Sequence, residues 1–424
     1  MDHSLSLVRG HLFEDDGDHP PGVGPRRLDT FPDGLAEKRP GNAPGGVTGM
    51  SRFHRFLFIC LVTAASGCFF ANRVPASTGS FTFKPALPGY VFRFPRDHRA
   101  HEAFRTEWWY YNGHLNGPKG ERFGYQLTFF RVGLWPGPPP SGTSRWRLGQ
   151  VYLAHLAVSD IEGRRFYYRE KASRGALGLA GSDDRRYRIW VETWSAEETG
   201  RRHRLEALEG DLGLSLMLDP LRPPVIHGLN GVSQKGPKPG QASHYYSLTR
   251  MATEGYIFLQ GKRIPVRGQS WMDHEFGSNQ LDPAQIGWDW FSLQLDNGTD
   301  VMIYRLRHKD GPDFFLTAGT LIGPDGEKRH LSGREIVLSP TATWKSPRSG
   351  AVYPVSWEVR LPEWDLRLRI TPFFRDQELL TEKSTGVTYW EGAVEGEGFW
   401  KELKVRCKGY LEMTGYDRPF RPKI

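Results

Sequence analysis

Two distant stretches of the chain carry the same features in the same order. Asp97-His98 is followed by Glu107-Trp108-Trp109-Tyr110-Tyr111-Asn112-Gly113-His114-Leu115, a turn, and Tyr125-Gln126-Leu127-Thr128-Phe129-Phe130-Arg131. About 175 residues later, Asp273-His274 is followed by Gly287-Trp288-Asp289-Trp290-Phe291-Ser292-Leu293-Gln294-Leu295, a turn, and Val301-Met302-Ile303-Tyr304-Arg305-Leu306-Arg307. A repeat this long is the length of a domain, not of a solenoid unit, and 424 residues exceed what one core usually organises. The chain is therefore expected to hold two copies of one domain, residues 90–254 and 255–424, with the boundary near Gly255.

Turn chemistry sets the class of that domain. Asn116-Gly117, Glu162-Gly163, Asn297-Gly298, Asp310-Gly311 and Asp325-Gly326 each separate apolar or aromatic runs, and such pairs tolerate the positive φ of tight hairpins. No window of helical length carries a clean i, i+3, i+4, i+7 stripe, and 49 glycines and 31 prolines would interrupt most helices. The reading is all-β. Residues two apart on a strand share a face, so Trp108, Tyr110, Asn112 and His114 form one row, and Trp288, Trp290, Ser292 and Gln294 the equivalent row. Aromatic bodies with polar tips suit a cavity lining, or simply a core. The opposite row, with Asp289, Phe291, Leu293 and Leu295, fits a barrel interior or packing between barrels equally well.

The first 89 residues read differently. Residues 1–49 are rich in Gly, Pro and Asp without an apolar period, a composition that does not offset the entropy of folding; they are a disordered leader or the product of a mis-assigned start, with translation beginning at Met50. Residues 50–68 read as a signal peptide, with a basic head at Arg52 to Arg55 and an apolar run from Phe56 to Ala65 too short to span a bilayer. The run ends in Ala65-Ser66-Gly67-Cys68, which resembles a bacterial lipobox and makes Cys68 the candidate lipidation site, although Ala65 stands where Leu is usual. Ordinary secretory cleavage or an uncleaved anchor are the alternatives. A tether, 69–89, would follow. With Cys60 removed and Cys68 lipidated, Cys407 has no partner, so no disulfide framework exists. The formal charge of +8 is spread along the chain and leaves no nucleic-acid footprint.

The repeated motifs resemble those of the AttH and carotenoid 1,2-hydratase family, double lipocalin-like proteins whose members are sometimes labelled secreted hydrolases. The matching text includes Phe94-Pro95-Arg96-Asp97-His98, Glu107-Trp108-Trp109-Tyr110, Ala154-His155-Leu156-Ala157-Val158-Ser159-Asp160, His227-Gly228-Leu229-Asn230-Gly231, Tyr245-Tyr246-Ser247, Trp271-Met272-Asp273-His274-Glu275-Phe276-Gly277 and Tyr389-Trp390-Glu391-Gly392. The resemblance implies two tandem lipocalin-like antiparallel β-barrels and a bulky hydrophobic, isoprenoid or lipid-like ligand. For the AttH arm it also implies a lipoprotein beside an ABC-type exporter, held at the membrane by its lipid and facing the periplasm. The hydratase arm adds water to isolated alkenes. This chain departs from that arm at Phe276, where an indole is usual, and at Leu306, where an acid is.

Hydration of an unactivated alkene requires a positioned acid, stabilisation of the resulting cation, and a base for water. Asp273 with His274 is the candidate proton-donating pair, and Tyr304 or Asp289 the candidate for handling water. Trp288 and Trp290 offer faces to a cation. Trp108, Tyr110, His114, Trp271, Tyr245 and Glu391 complete the candidate ligand lining. The bland alternative is that Asp273 and His274 bond backbone groups at a barrel rim. Other motifs fail: His101-Glu102 has Arg105 where a zincin needs its second His, Gly268 to Met272 lacks the closing Gly of a nucleophile elbow, and Gly231 to Lys235 lacks the context of a phosphate loop. No metal or cofactor is expected. The leading expectation is a lipid-anchored carrier of a hydrophobic compound; the alternatives are a hydratase-type lyase and an envelope scaffold.

Overall fold

The hairpins form where the turn residues place them. The computed structural model describes residues 82–421 apart from 138–143, 145–147 and 311–315. In it, Asn116-Gly117 lies between strands Thr106–Asn116 and Arg122–Gly133, and Glu162-Gly163 between Gln150–Asp160 and Arg165–Arg174. Asn297-Gly298 joins Gln285–Leu295 to Asp300–His308, and Asp325-Gly326 joins Thr317–Ile322 to Lys328–Ser332. Gly298 and Gly326 have φ of 89° and 85°, a conformation that glycine adopts without a Cβ penalty. Helix among the described residues is confined to 3-10 turns such as Arg96–His98. The leader, the signal segment, Cys68 and the start of the tether lie outside the described residues.

The strands make two antiparallel sheets with the same winding. In the first, the four-strand meander from Thr106–Asn116 to Arg165–Arg174 is followed by strands that work back around, until the last, Lys262–Gly277, pairs with the first. In the second, the meander from Gln285–Leu295 to Lys328–Ser332 is followed by a similar return, until Leu403–Thr414 pairs with Gln285–Leu295. Each sheet curls into a nearly closed barrel whose seam falls after its fourth strand. This is the lipocalin-like double barrel that the turns and the resemblance lead one to expect. The aromatic strands Thr106–Asn116 and Gln285–Leu295 are the first strand of each barrel.

Two details of the duplication are corrected. Gly255 lies inside strand Ala242–Leu259, which turns at Gln260-Gly261 and pairs with Lys262–Gly277, so the first barrel runs through Gly277 and the second begins at Gln285. The two Asp-His pairs are not equivalent either. Asp97-His98 sits in a 3-10 turn before the first strand, whereas Asp273-His274 lies in the closing strand of that barrel.

Alternation along the first strands distributes side chains between two kinds of core. Trp109, Tyr111 and Leu115 pack inside barrel 1, with Leu127, Trp194 and Met272. Phe291, Leu293 and Leu295 pack inside barrel 2, with Trp357 and Leu411. The rows between them, Tyr110 with Trp108 and Trp290 with Trp288, meet in a third cluster made by both barrels, with Tyr245, Trp271, Met302, Tyr304 and Tyr410. A side chain at Gly124 of barrel 1 would place its Cβ 2.6 Å from Ala393 Cβ and 2.7 Å from Tyr410 Oη of barrel 2. The close approach of the barrels therefore depends on that glycine.

Candidate functional site

Cross-strand register builds two opposing polar rows in the inter-barrel cluster. In barrel 1, Asp273 stands between Tyr110 and Ser247 on its two neighbouring strands, and Glu275 between Trp108 and Tyr245. In barrel 2, Trp290 stands between Tyr304 and Glu412, and Glu412 in turn faces Glu391. Directly opposed residues on paired strands project from the same face, so pairing alone gathers Asp273, Glu275, Glu391 and Glu412 between the barrels. Asp273, Glu275 and Glu391 are buried, and Glu412 is half-buried.

Asp273 is the most elaborately held of the four. Tyr245 Oη donates to one carboxyl oxygen at 2.7 Å; Trp271 Nε1 donates to the other at 2.6 Å, and so does the Ser247 hydroxyl. Barrel 2 reaches this group indirectly, because Trp290 Nε1 donates to Tyr245 Oη at 3.1 Å. His227 links Ser247 Oγ at 2.6 Å to Thr320 Oγ1 of barrel 2 at 2.8 Å. Burial disfavours the charged carboxylate more than these donors favour it, and Asp273 is pushed up to about 7.

The other carboxyls differ in their partners. Glu275 is ion-paired with buried Lys235 at 2.9 Å and accepts from Ser243. Glu412 is raised to about 7 by burial, against a hydrogen bond from Trp288 and with added repulsion from Asp273 and Glu275. Burial and the charge of Glu412 raise Glu391 well above the usual carboxylate range. Tyr110 donates to one Glu391 oxygen, while Oε2 has no partner among the described residues. Lys235 is the one cation paired with any of these four carboxyls among the described residues. With no ion-paired cation of their own, Asp273, Glu391 and Glu412 are shifted toward their neutral forms and can exchange protons beside aromatic faces.

The remaining sequence candidates divide cleanly. Trp108, Tyr110, Trp271, Trp288, Trp290, Tyr245 and Tyr304 all belong to the inter-barrel cluster, and Glu391 joins it through Tyr110. Tyr304 also lines a cavity of about 350 Å³ with Gln234, Val232, Leu316 and Ala318, and the Lys235 ammonium lies 3.9 Å from its ring centre. His114 is on the same face but at a packed end, bonding Gly409 O at 2.8 Å beside Tyr410 and Phe373. Two candidates are misplaced. Neighbours on a strand point to opposite faces, so His274 points away from Asp273 into barrel 1, stacked on Trp109, and the proposed Asp273–His274 pair does not exist. Asp289 alternates with Trp288 and Trp290 and is held by Arg305 at 2.8 Å and Tyr416 at 2.7 Å, apart from the carboxyl cluster. Sequence reading missed Glu275, Glu412, Lys235 and Ser247. Glu275 had a legible signal, since it is two residues from Asp273 on one strand.

His274 belongs to a second buried network. Glu107 Oε1 meets His101 Nδ1 at 2.7 Å and His274 Nε2 at 2.8 Å, and Oε2 accepts from Arg131 Nε at 2.9 Å. The ligand atoms of His101, Glu107 and His274 lie within 4.8 Å of one another, close enough for a three-ligand metal site. Arg131 already supplies the positive charge, however, and both imidazoles already bond the carboxylate, so the donor set suits an ion-paired strut better than a cation. Burial opposes the Glu107 charge, but Arg131 and His101 hold its carboxyl well below the usual range.

Two nearly closed barrels enclosing a proton-rich, aromatic-lined cluster at their junction define the class of protein. The AttH-like family model matches residues 85–416, and the chain belongs to that family. It is similar to the crystal structure of a Nitrosomonas europaea protein assigned as an AttH, with 35% identity over 78% of this chain and 99% of that one and a TM-score of 0.71. Kievitone hydratase from Nectria haematococca shares the fold at 15% identity, over 79% of this chain and 98% of that one, with a TM-score of 0.60. A comparison with curated proteins found no match.

Proposed function

We propose that this protein is a hydratase-type lyase that adds water across an alkene of a bulky apolar substrate admitted between the barrels. The observation that carries this reading is Asp273: a buried carboxyl pushed up to about 7, surrounded by aromatic side chains and facing a second carboxyl poised at a similar value. A general acid works best when its pKa lies near the working pH. The shared fold of a hydratase favours this chemistry over simple carriage.

In the proposed reaction the Asp273 carboxyl gives its proton to one alkene carbon, and the π pair becomes the new C–H bond. The cation left on the other carbon lies among the faces of Trp271, Trp290 and Tyr245, whose quadrupoles favour positive charge. Water adds there through an oxygen lone pair, and its released proton passes to Glu412 as the base. The net change is alkene plus water to alcohol, with the proton returned to Asp273 through solvent. Entry from the cavity beside Tyr304 requires Tyr304 and Lys235 to yield. The Cys68 lipobox favours a membrane-anchored location facing the periplasm, and carriage to an ABC-type exporter is the second reading it supports.

The test is product formation from lycopene, squalene and a prenylated flavonoid in oxygen-18 water, with mass spectrometry reading incorporation. A hydratase incorporates label, and Asp273→Asn abolishes this while retaining binding. A carrier binds without incorporation, loses affinity when Trp288 or Trp290 is truncated, and is indifferent to Asp273→Asn.

A further inference from the structure

The Phe94-Pro95-Arg96-Asp97-His98 motif takes no part in the inter-barrel cluster. It lies beside a separate cavity of about 510 Å³ at barrel 1, lined by Phe94, His98, His203, Leu221, Pro223 and Leu248. Its volume is in the range of small-molecule pockets. The walls are largely apolar, interrupted by the two imidazoles and by Glu198, Arg201 and Arg222.

Those imidazoles are held as a pair. Their ring centres are 5.4 Å apart, nearly perpendicular. His98 Nδ1 is 2.7 Å from Tyr246 Oη, and that hydroxyl lies 3.1 Å from His274 Nδ1. His203 Nδ1 is 2.9 Å from Tyr111 Oη, which lies 2.6 Å from Tyr187 Oη. Nδ1 of each ring is thus occupied, and Nε2 has no hydrogen-bond partner among the described residues. His203 is only 3% exposed, yet its Nε2 is not among the sealed, partnerless atoms, so the exposure that the ring keeps leaves it open to a ligand or water.

The charge state of the site limits what fits. Burial lowers His98 to about 4 and His203 well below its usual value, so both rings are neutral at pH 7. Arg222 is engaged by Asp300 at 3.1 Å, and Arg201 is a mostly exposed side chain in a surface pair with Asp219 at 3.4 Å. An anion therefore gains only a solvent-screened guanidinium, and a pure hydrocarbon leaves two ring nitrogens unmet.

We infer that this end of barrel 1 is a second small-molecule site, selective for an uncharged apolar molecule bearing a hydroxyl or carbonyl oxygen, which His98 and His203 anchor through Nε2. It is independent of the inter-barrel reaction; saturated probes cannot be turned over there, and variants at His203 and Leu221, which line only this cavity, separate binding at the two places.

The experiment is calorimetric titration of the folded protein with decanol, decanone, decane and decanoate at pH 7. Decanol and decanone bind saturably, and decane and decanoate bind at least about tenfold more weakly, the worth of a hydrogen bond of ordinary strength. His203→Leu lowers decanol affinity about tenfold and removes its advantage over decane. Since that buried histidine also bonds Tyr111, a second variant is needed that spares the interior. Leu221→Trp fills the mouth from a half-exposed position and abolishes binding of all probes. Absence of saturable binding, equal affinity for decane, or full binding by Leu221→Trp overturns the inference.

Discussion

Glu107 and Asp273 are equally hidden carboxyls that titrate in opposite directions. Each is almost wholly buried, and each sits on a strand next to the line where barrel 1 closes. Glu107 has the Arg131 guanidinium at 2.9 Å and two imidazoles, and its carboxyl lies well below the usual range. Asp273 has three neutral donors and no ion-paired cation, the nearby Lys235 being paired with Glu275, and its carboxyl is pushed up to about 7. Burial therefore does not determine what a carboxyl does; the compensating charge does. A compensated carboxylate serves as a strut, and an uncompensated one keeps its proton and can transfer it.

The largest test of this contrast removes the compensation. Arg131→Met leaves Glu107 buried without its guanidinium, with only the two imidazoles on its carboxyl, and is expected to destabilise the protein by about 3–5 kcal/mol, read from urea unfolding. A loss below about 1 kcal/mol breaks the comparison, because Glu107 would then not depend on its cation. On the other side, Asp273→Asn keeps the shape and removes the titrating proton. Turnover of a hydrated alkene is expected to fall about 10²–10⁴-fold, measured by oxygen-18 incorporation, with stability unchanged or improved.

The two groups also oppose each other in pH. The folded value of Asp273 is raised, so the unfolded chain ionises first as pH rises; stability falls between about pH 4 and pH 7 and then levels off. The folded value of Glu107 is depressed, so its contribution is present above about pH 4.5 and is lost as pH falls below it. Thermal unfolding at pH 5 and pH 7 is expected to show a smaller difference in Asp273→Asn than in the native chain. The smallest expected effect is Glu391→Gln. A carboxyl held in its neutral form is replaced by a neutral amide, and the change in unfolding free energy is expected to stay within about 1 kcal/mol. A larger loss means that Glu391 is ionised in the folded protein.

Much of the barrel architecture was legible because its signals are local. Asn297-Gly298 needs no distant partner to favour a tight turn, and two residues of separation are enough to put Trp108 with Tyr110 and Trp288 with Trp290 on common faces. The same rule, applied one residue further, would have separated Asp273 from His274 and joined it to Glu275. The side on which those faces lie was not legible. Strand Thr106–Asn116 is buried on both faces, one inside barrel 1 and one against barrel 2, so no polar face marks the outside. Gly255 misled as a boundary because a glycine within a strand resembles a linker until its pairing partner, Val266, is known.

By itself the sequence determined the repeat, the hairpins, the strand periodicity and the family, because these depend on neighbours along the chain or on motifs read in order. Only the tertiary structure decided that the candidate site lies between the barrels and that Glu412, with Glu391 beside it, joins Asp273 there. Those relations depend on strands more than a hundred residues apart in the chain. Glu107 takes its compensating charge from Arg131 across the first hairpin, whereas the surroundings that raise Asp273 are assembled by long-range closure, which no local pattern records.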